Sequence, residues 1–421
     1  MERTQLACRS MPHAGRRVGA FAGSAMSDPT TSVMAGIVPA TRGDNYPAAD
    51  GRDRPGHDGG DGGVIGRDGG ATGRDDGAIG RDGGATGRNG RGDAAPLVSV
   101  DDLSVRFVTR DATVHAVNGV SFTVRPGEVL CILGESGSGK SVTLRAMMRL
   151  LPPRRTRIDG MIRIDGQDVL ALNARALRDL RGGLVSMIFQ EPMTALDPVY
   201  TIGAQIAETV RRHKGGSRAE ARARALELLE VVKIPEAERR LDNYPHELSG
   251  GLRQRAMIAM ALSCGPRLLL ADEPTTALDA TVQIQVLILL RKLQRELGMG
   301  TIFVTHDLGV ASEIADRIAV MYAGRIVEEG PVADVLRSPM HPYTQGLLAS
   351  TMHGQHRDRD IEAIPGSPPD LRRLPSGCAF APRCAKAEPE CRTAVPEPRY
   401  PSPRRMVRCI RIGDTALVAA E

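Results

Sequence analysis

The stretch Gly134-Glu135-Ser136-Gly137-Ser138-Gly139-Lys140-Ser141 constrains this chain more than any other feature. It fits G-x-x-x-x-G-K-[ST], a loop whose successive backbone N–H groups close around phosphate oxygens. Glycine permits that curl because it enters backbone conformations closed to other residues. The context agrees. The apolar run Val129 to Leu133 precedes the loop as a strand, and a helical pattern from Val142 to Leu151 follows it. The N-terminus of that helix adds the positive end of its dipole. Lys140 can reach the β- and γ-phosphates, and Ser141 can ligate Mg²⁺. Gly134 through Val142 are therefore the candidate phosphate-binding residues.

The chain has 421 residues, enough for two or three domains, and a net charge of only +5. A balance so small, with no Trp and few other aromatics, gives no reason to invoke nucleic acid. No apolar run is long enough to span a bilayer. Neither Leu6-Ala7-Cys8 nor Arg16-Arg17 is joined to an apolar stretch of signal-peptide length. Residues 1–96 are expected to be disordered. From Gly66 they repeat GRDGGAT-like heptads of Gly, Arg and Asp, which bury too little to offset backbone entropy. They form a tether, or a leader upstream of a true start at Met26, Met34 or later.

Order is expected from Leu97. Leu97 to Val100 and Leu103 to Phe107 alternate like strands, Asn118-Gly119 closes an element, and Val120 to Val124 forms another strand. Later apolar runs at Leu184–Phe189, Leu268–Ala271, Thr301–Thr305 and Arg317–Met321 alternate with helical patterns such as Arg218–Val232 and Val282–Leu297. That alternation predicts an α/β fold with a largely parallel core sheet. Ligands of such sheets bind at the carboxyl ends of the strands. There the sequence places Gln190, the pair Asp272-Glu273, and His306. Asp272 can hold Mg²⁺ as a Walker B aspartate, and Glu273 can act as general base on a water. Gln190 can sense the metal and γ-phosphate, with Ser141 and Asp272 as the other Mg²⁺ residues, and His306 can contact the γ-phosphate.

Leu248-Ser249-Gly250-Gly251-Leu252-Arg253-Gln254-Arg255 opens another helix. Ser249 suits its N-cap, and Gly250 and Gly251 leave that N-terminus open to an anion. The chain thus carries two phosphate-binding elements and one phosphate loop, which a second subunit would reconcile.

Taken in order, the phosphate loop, Gln190, the Leu248–Arg255 signature, Leu268–Glu273, Ala277-Leu278-Asp279 and His306 resemble the ATP-binding subunits of ABC transporters across residues 97 to about 335. The resemblance implies an ABC-type P-loop ATPase domain at 97–338, with a parallel core sheet, an antiparallel β subdomain and a helical subdomain at about 191–250. It implies a head-to-tail pair of such subunits, homologous or identical, with each ATP between one phosphate loop and the partner's signature. Asp279 would lie in the inter-subunit loop, and Phe107 would stack on adenine. Glu273, His306, Gln190 and Lys140 would be the catalytic set.

Residues 339–421 form a proline-dense, loop-rich tail, expected to be a separate appendix little involved in hydrolysis. Cys378, Cys384, Cys391 and Cys409, spaced C-x5-C-x6-C-x17-C, suggest a soft-metal site. Cys131 and Cys264 read as core and Cys8 as part of the leader. His341-Pro342-Tyr343-Thr344, Ile364-Pro365-Gly366 and Pro375 to Phe380 resemble the C-terminal extension of dipeptide and oligopeptide importers. That resemblance implies a [4Fe–4S] cluster on the four cysteines, with Zn²⁺ or unligated thiols the alternatives. It also implies two membrane-spanning permease subunits, an external solute-binding protein, and a peripheral position on the cytoplasmic face of the inner membrane. A nickel or other small-solute importer is the alternative within the family. A soluble ABC ATPase of DNA repair or translation is the alternative outside it.

Overall fold

The structure is a computed structural model that describes residues 95–276, 278–352 and 364–412. Nearly all of the leader, with Cys8, and Ala277 of the inter-subunit loop lie outside the described residues.

β1 (Val98–Val108) and β2 (Thr113–Val124) pair antiparallel, and β4 (Thr156–Ile164) and β5 (Gln167–Asp168) extend them into a sheet of order β2-β1-β4-β5. Two expectations are corrected here. Leu97–Val100 and Leu103–Phe107 are not separate strands. They join through a bulge in which Asp102 takes φ 47° and its N–H donates to Ser121 Oγ at 2.9 Å. Nor does Asn118-Gly119 end an element. Gly119 takes φ 68° inside β2, and its N–H is satisfied by Ser104 Oγ at 3.0 Å. A bulge rather than a turn results, because the partner strand carries a matching irregularity.

The second sheet contains β3 (Val129–Leu133), β6 (Val185–Ile188), β7 (Leu268–Asp272), β8 (Gly300–Thr305), β9 (Arg317–Tyr322), β10 (Arg325–Pro331), β11 (Arg399–Ser402) and β12 (Arg405–Val407). Its order is β11-β12-β10-β9-β3-β8-β7-β6. The strands from β9 to β6 run parallel, and the three at the other edge are antiparallel. Parallel strands are buried on both faces, which is why they read as continuous apolar runs. In β3, Val129, Cys131 and Leu133 enter one core, while Leu130 and Ile132 enter the other. The second core also takes Val98, Val105, Phe122 and Ile162 from the antiparallel sheet. The first takes the helical segment.

In that segment Ser217 and Glu220 form a capping box that starts the helix Arg218–Val231. Leu228 and Leu229 from this helix pack with Ile206 and Ile258 of neighbouring helices. Leu229 is fully buried, so truncating it to Ala costs about 2–5 kcal/mol. Among the described residues no helix is long and apolar enough to cross a membrane.

The tail is loop-rich, as its prolines imply, but it is not a separate appendix. β12 pairs with β10, placing Val407 opposite Glu328. Glu328 is fully buried, and its carboxylate accepts from the N–H groups of Met340 and His341 and from Arg405 Nη2 at 2.7 Å. A buried carboxylate is tolerable only with such partners, so the tail and β10 stand or fall together.

Candidate functional site

The phosphate loop closes as the sequence predicts. Gly137 and Gly139 take φ 78° and 103°, conformations that favour glycine. Close packing adds a second reason at two positions. A Cβ on Gly134 would lie 2.2 Å from the Met321 carbonyl oxygen, and one on Gly139 would lie 2.4 Å from that of Ala116. Lys140 opens the helix Lys140–Met147, and its Nζ donates to the carbonyls of Gly134 at 2.7 Å and Glu135 at 3.0 Å. The ammonium is thereby held at the centre of the loop. Val142 is half-buried against the core beneath the antiparallel sheet.

β7 delivers the acids. Ser141 Oγ donates to Asp272 Oδ1 at 2.6 Å. Asp272 is fully buried, and its Oδ2 has no hydrogen-bond partner, though Arg145 Nη2 lies 3.7 Å away. Burial pushes the Asp272 carboxyl above its ordinary value and the Lys140 ammonium below its own. An orphaned buried oxygen beside a serine hydroxyl suits a hard cation, so the residues fit Mg²⁺.

Glu273 turns out of β7 at φ 45°, with its N–H bonded to the Val304 carbonyl at 3.0 Å. Its Oε2 accepts from Gln190 Nε2 at 3.2 Å and from Thr276 Oγ1 at 3.0 Å, and it lies 3.3 Å from His306 Nδ1. Its Oε1 is 3.9 Å from Lys140 Nζ. The ends of four strands thus bring Lys140, Ser141, Gln190, Asp272, Glu273 and His306 together. Gln190 is bonded to Glu273 here rather than to the Ser141–Asp272 pair, with which the sequence groups it.

Other predicted residues stand apart from this cluster. Ser249 is the N-cap of the helix Gly250–Leu262, with its Oγ accepting from the Leu252 N–H at 3.4 Å. Ser249 and Gly250 are exposed, and a Cβ on Gly250 would meet open space. Gly251 has a packing role as well, since a Cβ there would lie 2.8 Å from Val282. Asp279 is exposed and caps the helix Ala280–Leu297 through a 3.0 Å bond from the Val282 N–H. Phe107 is half-buried against the antiparallel sheet's core.

The tail reaches this site, contrary to expectation. Tyr343 Oη and the Arg383 guanidinium both bond to Glu135 in the phosphate loop. Sequence reasoning missed them, as it missed Thr276 and Arg145. Arg145 had a local signal, lying one helical turn beyond Ser141, and Thr276 follows the acidic pair closely.

Cys378, Cys384, Cys391 and Cys409 all line one small cavity, together with His341 and Arg411. Among the described residues no three His, Cys, Asp or Glu side chains converge as a single ion requires, so the zinc alternative has no ready ligand set. One of the sulfurs takes a backbone hydrogen bond. Cys391 Sγ accepts from the Glu388 N–H at 3.4 Å. Burial pushes the Cys378 and Cys409 thiols up. Cys131 and Cys264 are buried in the core, as expected.

Residues 117–276 match the ABC transporter family, and residues 327–391 match the oligopeptide/dipeptide transporter C-terminal region. A Brucella melitensis protein, described provisionally as a peptide import ATP-binding protein, is 53% identical over 328 residues, 75% of this chain and 97% of the relative. The chain belongs to the ATP-binding proteins of peptide-type ABC transporters. The oligopeptide transport ATP-binding protein OppD of Salmonella typhimurium is 50% identical over 315 residues, covering 75% of this chain and 93% of that protein. A dimeric ATP-binding cassette, solved in a post-hydrolysis state with ADP and Pi, is similar in fold. Its TM-score is 0.51 at 31% identity, covering 56% of this chain and 99% of that one. This ABC protein is an ATPase, and its phosphate loop, acidic pair and strand-end polar residues occupy one site.

Proposed function

We propose that this ATPase works as one of a pair on the cytoplasmic face of the inner membrane, energising import of dipeptides and oligopeptides. Two membrane-spanning permease subunits would form the path, fed by an external solute-binding protein. The observation that carries the reading is the convergence of Lys140, Asp272, Glu273, Gln190 and His306 at the strand ends, joined to a tail of the peptide-importer type. The names of the relatives favour peptides over nickel as cargo.

In this reading the phosphate-loop N–H groups and Lys140 hold the β- and γ-phosphates, and Phe107 packs on adenine. Mg²⁺ on Ser141, Asp272 and Gln190 would offset charge on the phosphates. Glu273 accepts the proton of a water held by Gln190 and His306. The water oxygen bonds to the γ-phosphorus while the bond to the bridging oxygen breaks, its electron pair leaving with ADP. Ser249, Gly250 and Gly251 serve the partner's γ-phosphate, which the exposure of Ser249 and Gly250 at a helix N-terminus permits. Asp279 crosses to the partner as well. The helical segment 191–250 transmits dimer closure to the permeases. The tail cysteines hold a [4Fe–4S] cluster, a reading supported by the four sulfurs that line one cavity and by the Glu388 N–H bond to Cys391 Sγ.

The test is purification of the intact complex from membranes and its reconstitution in vesicles. ATP turnover should rise several-fold when the loaded solute receptor and peptide are added outside. A complex without permease subunits, or one stimulated by nickel and indifferent to peptides, would overturn the reading.

A further inference from the structure

Among the described residues the tail meets the nucleotide site at Glu135, which it holds twice. The Glu135 N–H donates to Tyr343 Oη at 3.0 Å. The Glu135 carboxylate accepts Nη1 and Nη2 of Arg383 at 2.8 and 3.2 Å. The third polar group of Glu135, its carbonyl, accepts from Lys140 Nζ at 3.0 Å. One loop residue therefore links the tail to the catalytic lysine.

The tail side of this contact is rigidly built. Arg383 is 8% exposed, and it also donates to the carbonyls of Pro365 at 2.9 Å and Ile364 at 3.3 Å and to Tyr322 Oη at 3.3 Å. Tyr343 is fully buried, its ring 4.5 Å from that of Tyr322 and 5.4 Å from that of Phe380, centre to centre. Arg383 stands immediately before Cys384 in a short turn begun by Cys378, so it is positioned by the segment that carries the four thiols.

A glycine-rich loop is free to take many conformations and loses that freedom when it wraps a phosphate chain. A fork of two parallel hydrogen bonds on its second residue removes part of that freedom in advance. We propose that Arg383 is a positioning residue of this ATPase. With Tyr343 it clamps Glu135, sets where Lys140 meets the phosphates, and so makes nucleotide binding and docking of the tail one coupled equilibrium. The proposal rests only on nucleotide binding at the phosphate loop, whatever the cargo. Coupling of this kind is reciprocal, so ATP must tighten the tail by the factor by which the tail tightens ATP.

The experiment uses the full chain in its assembled complex, with Arg383→Ala, Glu135→Ala, the double variant, and the conservative Arg383→Lys and Glu135→Gln. ATP affinity is read with a fluorescent nucleotide, KM and kcat from turnover, and amide exchange over residues 364–384 with and without nucleotide. Arg383→Ala should weaken ATP binding about tenfold and raise KM more than it lowers kcat, a size typical of site-to-site coupling. Glu135→Ala should match it, and the double variant should lose no more than either, as partners in one contact do. Arg383→Lys, which keeps the charge without the fork, should fall between. In the wild type, ATP should slow exchange in the tail, and in Arg383→Ala it should not. If truncation prevents assembly, the two conservative variants and the wild-type exchange still decide. Unchanged ATP affinity in Arg383→Lys and Glu135→Gln, additive losses in the double variant, or tail exchange indifferent to ATP would each overturn the proposal.

Discussion

Ser141 Oγ and Asp272 Oδ1 are joined by a 2.6 Å hydrogen bond across 131 residues of sequence. It ties the first helix after the phosphate loop to the end of β7, and it leaves Asp272 Oδ2 buried without a hydrogen-bond partner. Burial disfavours the charged form of that carboxyl and pushes its pKa up, a cost that a cation beside Oδ2 would offset.

Asp272→Asn keeps the shape and removes the charge. Nucleotide affinity should then become nearly the same with and without Mg²⁺, while the wild type binds Mg·ATP more tightly than free ATP. Titrating a fluorescent nucleotide in magnesium and in chelator measures this. A full magnesium effect in the variant would remove Asp272 from the metal site.

Glu273→Gln should retain ATP binding and stop hydrolysis, because an amide cannot accept the water's proton. The dimer should accumulate with ATP trapped, seen as a larger species by size-exclusion chromatography. Lys140→Ala should instead lose binding and hydrolysis together, since it removes the charge at the centre of the loop. Ordinary turnover at this chain's own site in either variant would contradict the assignment.

Ser249→Arg separates the two halves of the shared site. Ser249 is exposed and caps only its own helix, so the substitution leaves the core intact. In a complex carrying it on one subunit, hydrolysis should fail at the phosphate loop of the other. Failure at the altered subunit's own loop would rule out the head-to-tail pair.

Two loop glycines should respond differently to alanine. At Gly137 a Cβ meets nothing within 4 Å, so Gly137→Ala costs only the strain of φ 78°, about 1–2 kcal/mol. At Gly139 the added carbon would lie 2.4 Å from the Ala116 carbonyl oxygen, at φ 103°. Gly139→Ala should abolish ATP binding, and Gly137→Ala should weaken it modestly. Equal losses in binding assays would mean that backbone conformation alone, not packing against β2, restricts Gly139.

Protein purified without oxygen should be brown and carry about four irons and four sulfides per chain if the tail holds a [4Fe–4S] cluster. Replacing Cys378 or Cys409 by Ser should lower iron content and loosen the tail. Elemental analysis finding one zinc and no iron, or four freely alkylated thiols and no metal, would reject the cluster.

Much of the candidate site was legible from residues 134–141 and 268–273, and the capped start of the helix Gly250–Leu262 from residues 248–255, because each motif works through local backbone geometry. Glycines curl a loop, an apolar run buries a strand, and a serine caps a helix. None of these needs a distant partner to be recognised. The parallel strands were legible for the same reason, since burial on both faces leaves a continuous apolar run. Tertiary structure alone decided where those strands sit, that Asp102 and Gly119 mark bulges rather than ends, and that β12 completes the sheet beside β10. It alone decided that Arg383 would meet Glu135, 248 positions away. An arginine in a proline-rich tail carries no sign of its partner. Its role arises only when the sheet edge carries the tail back over the phosphate loop.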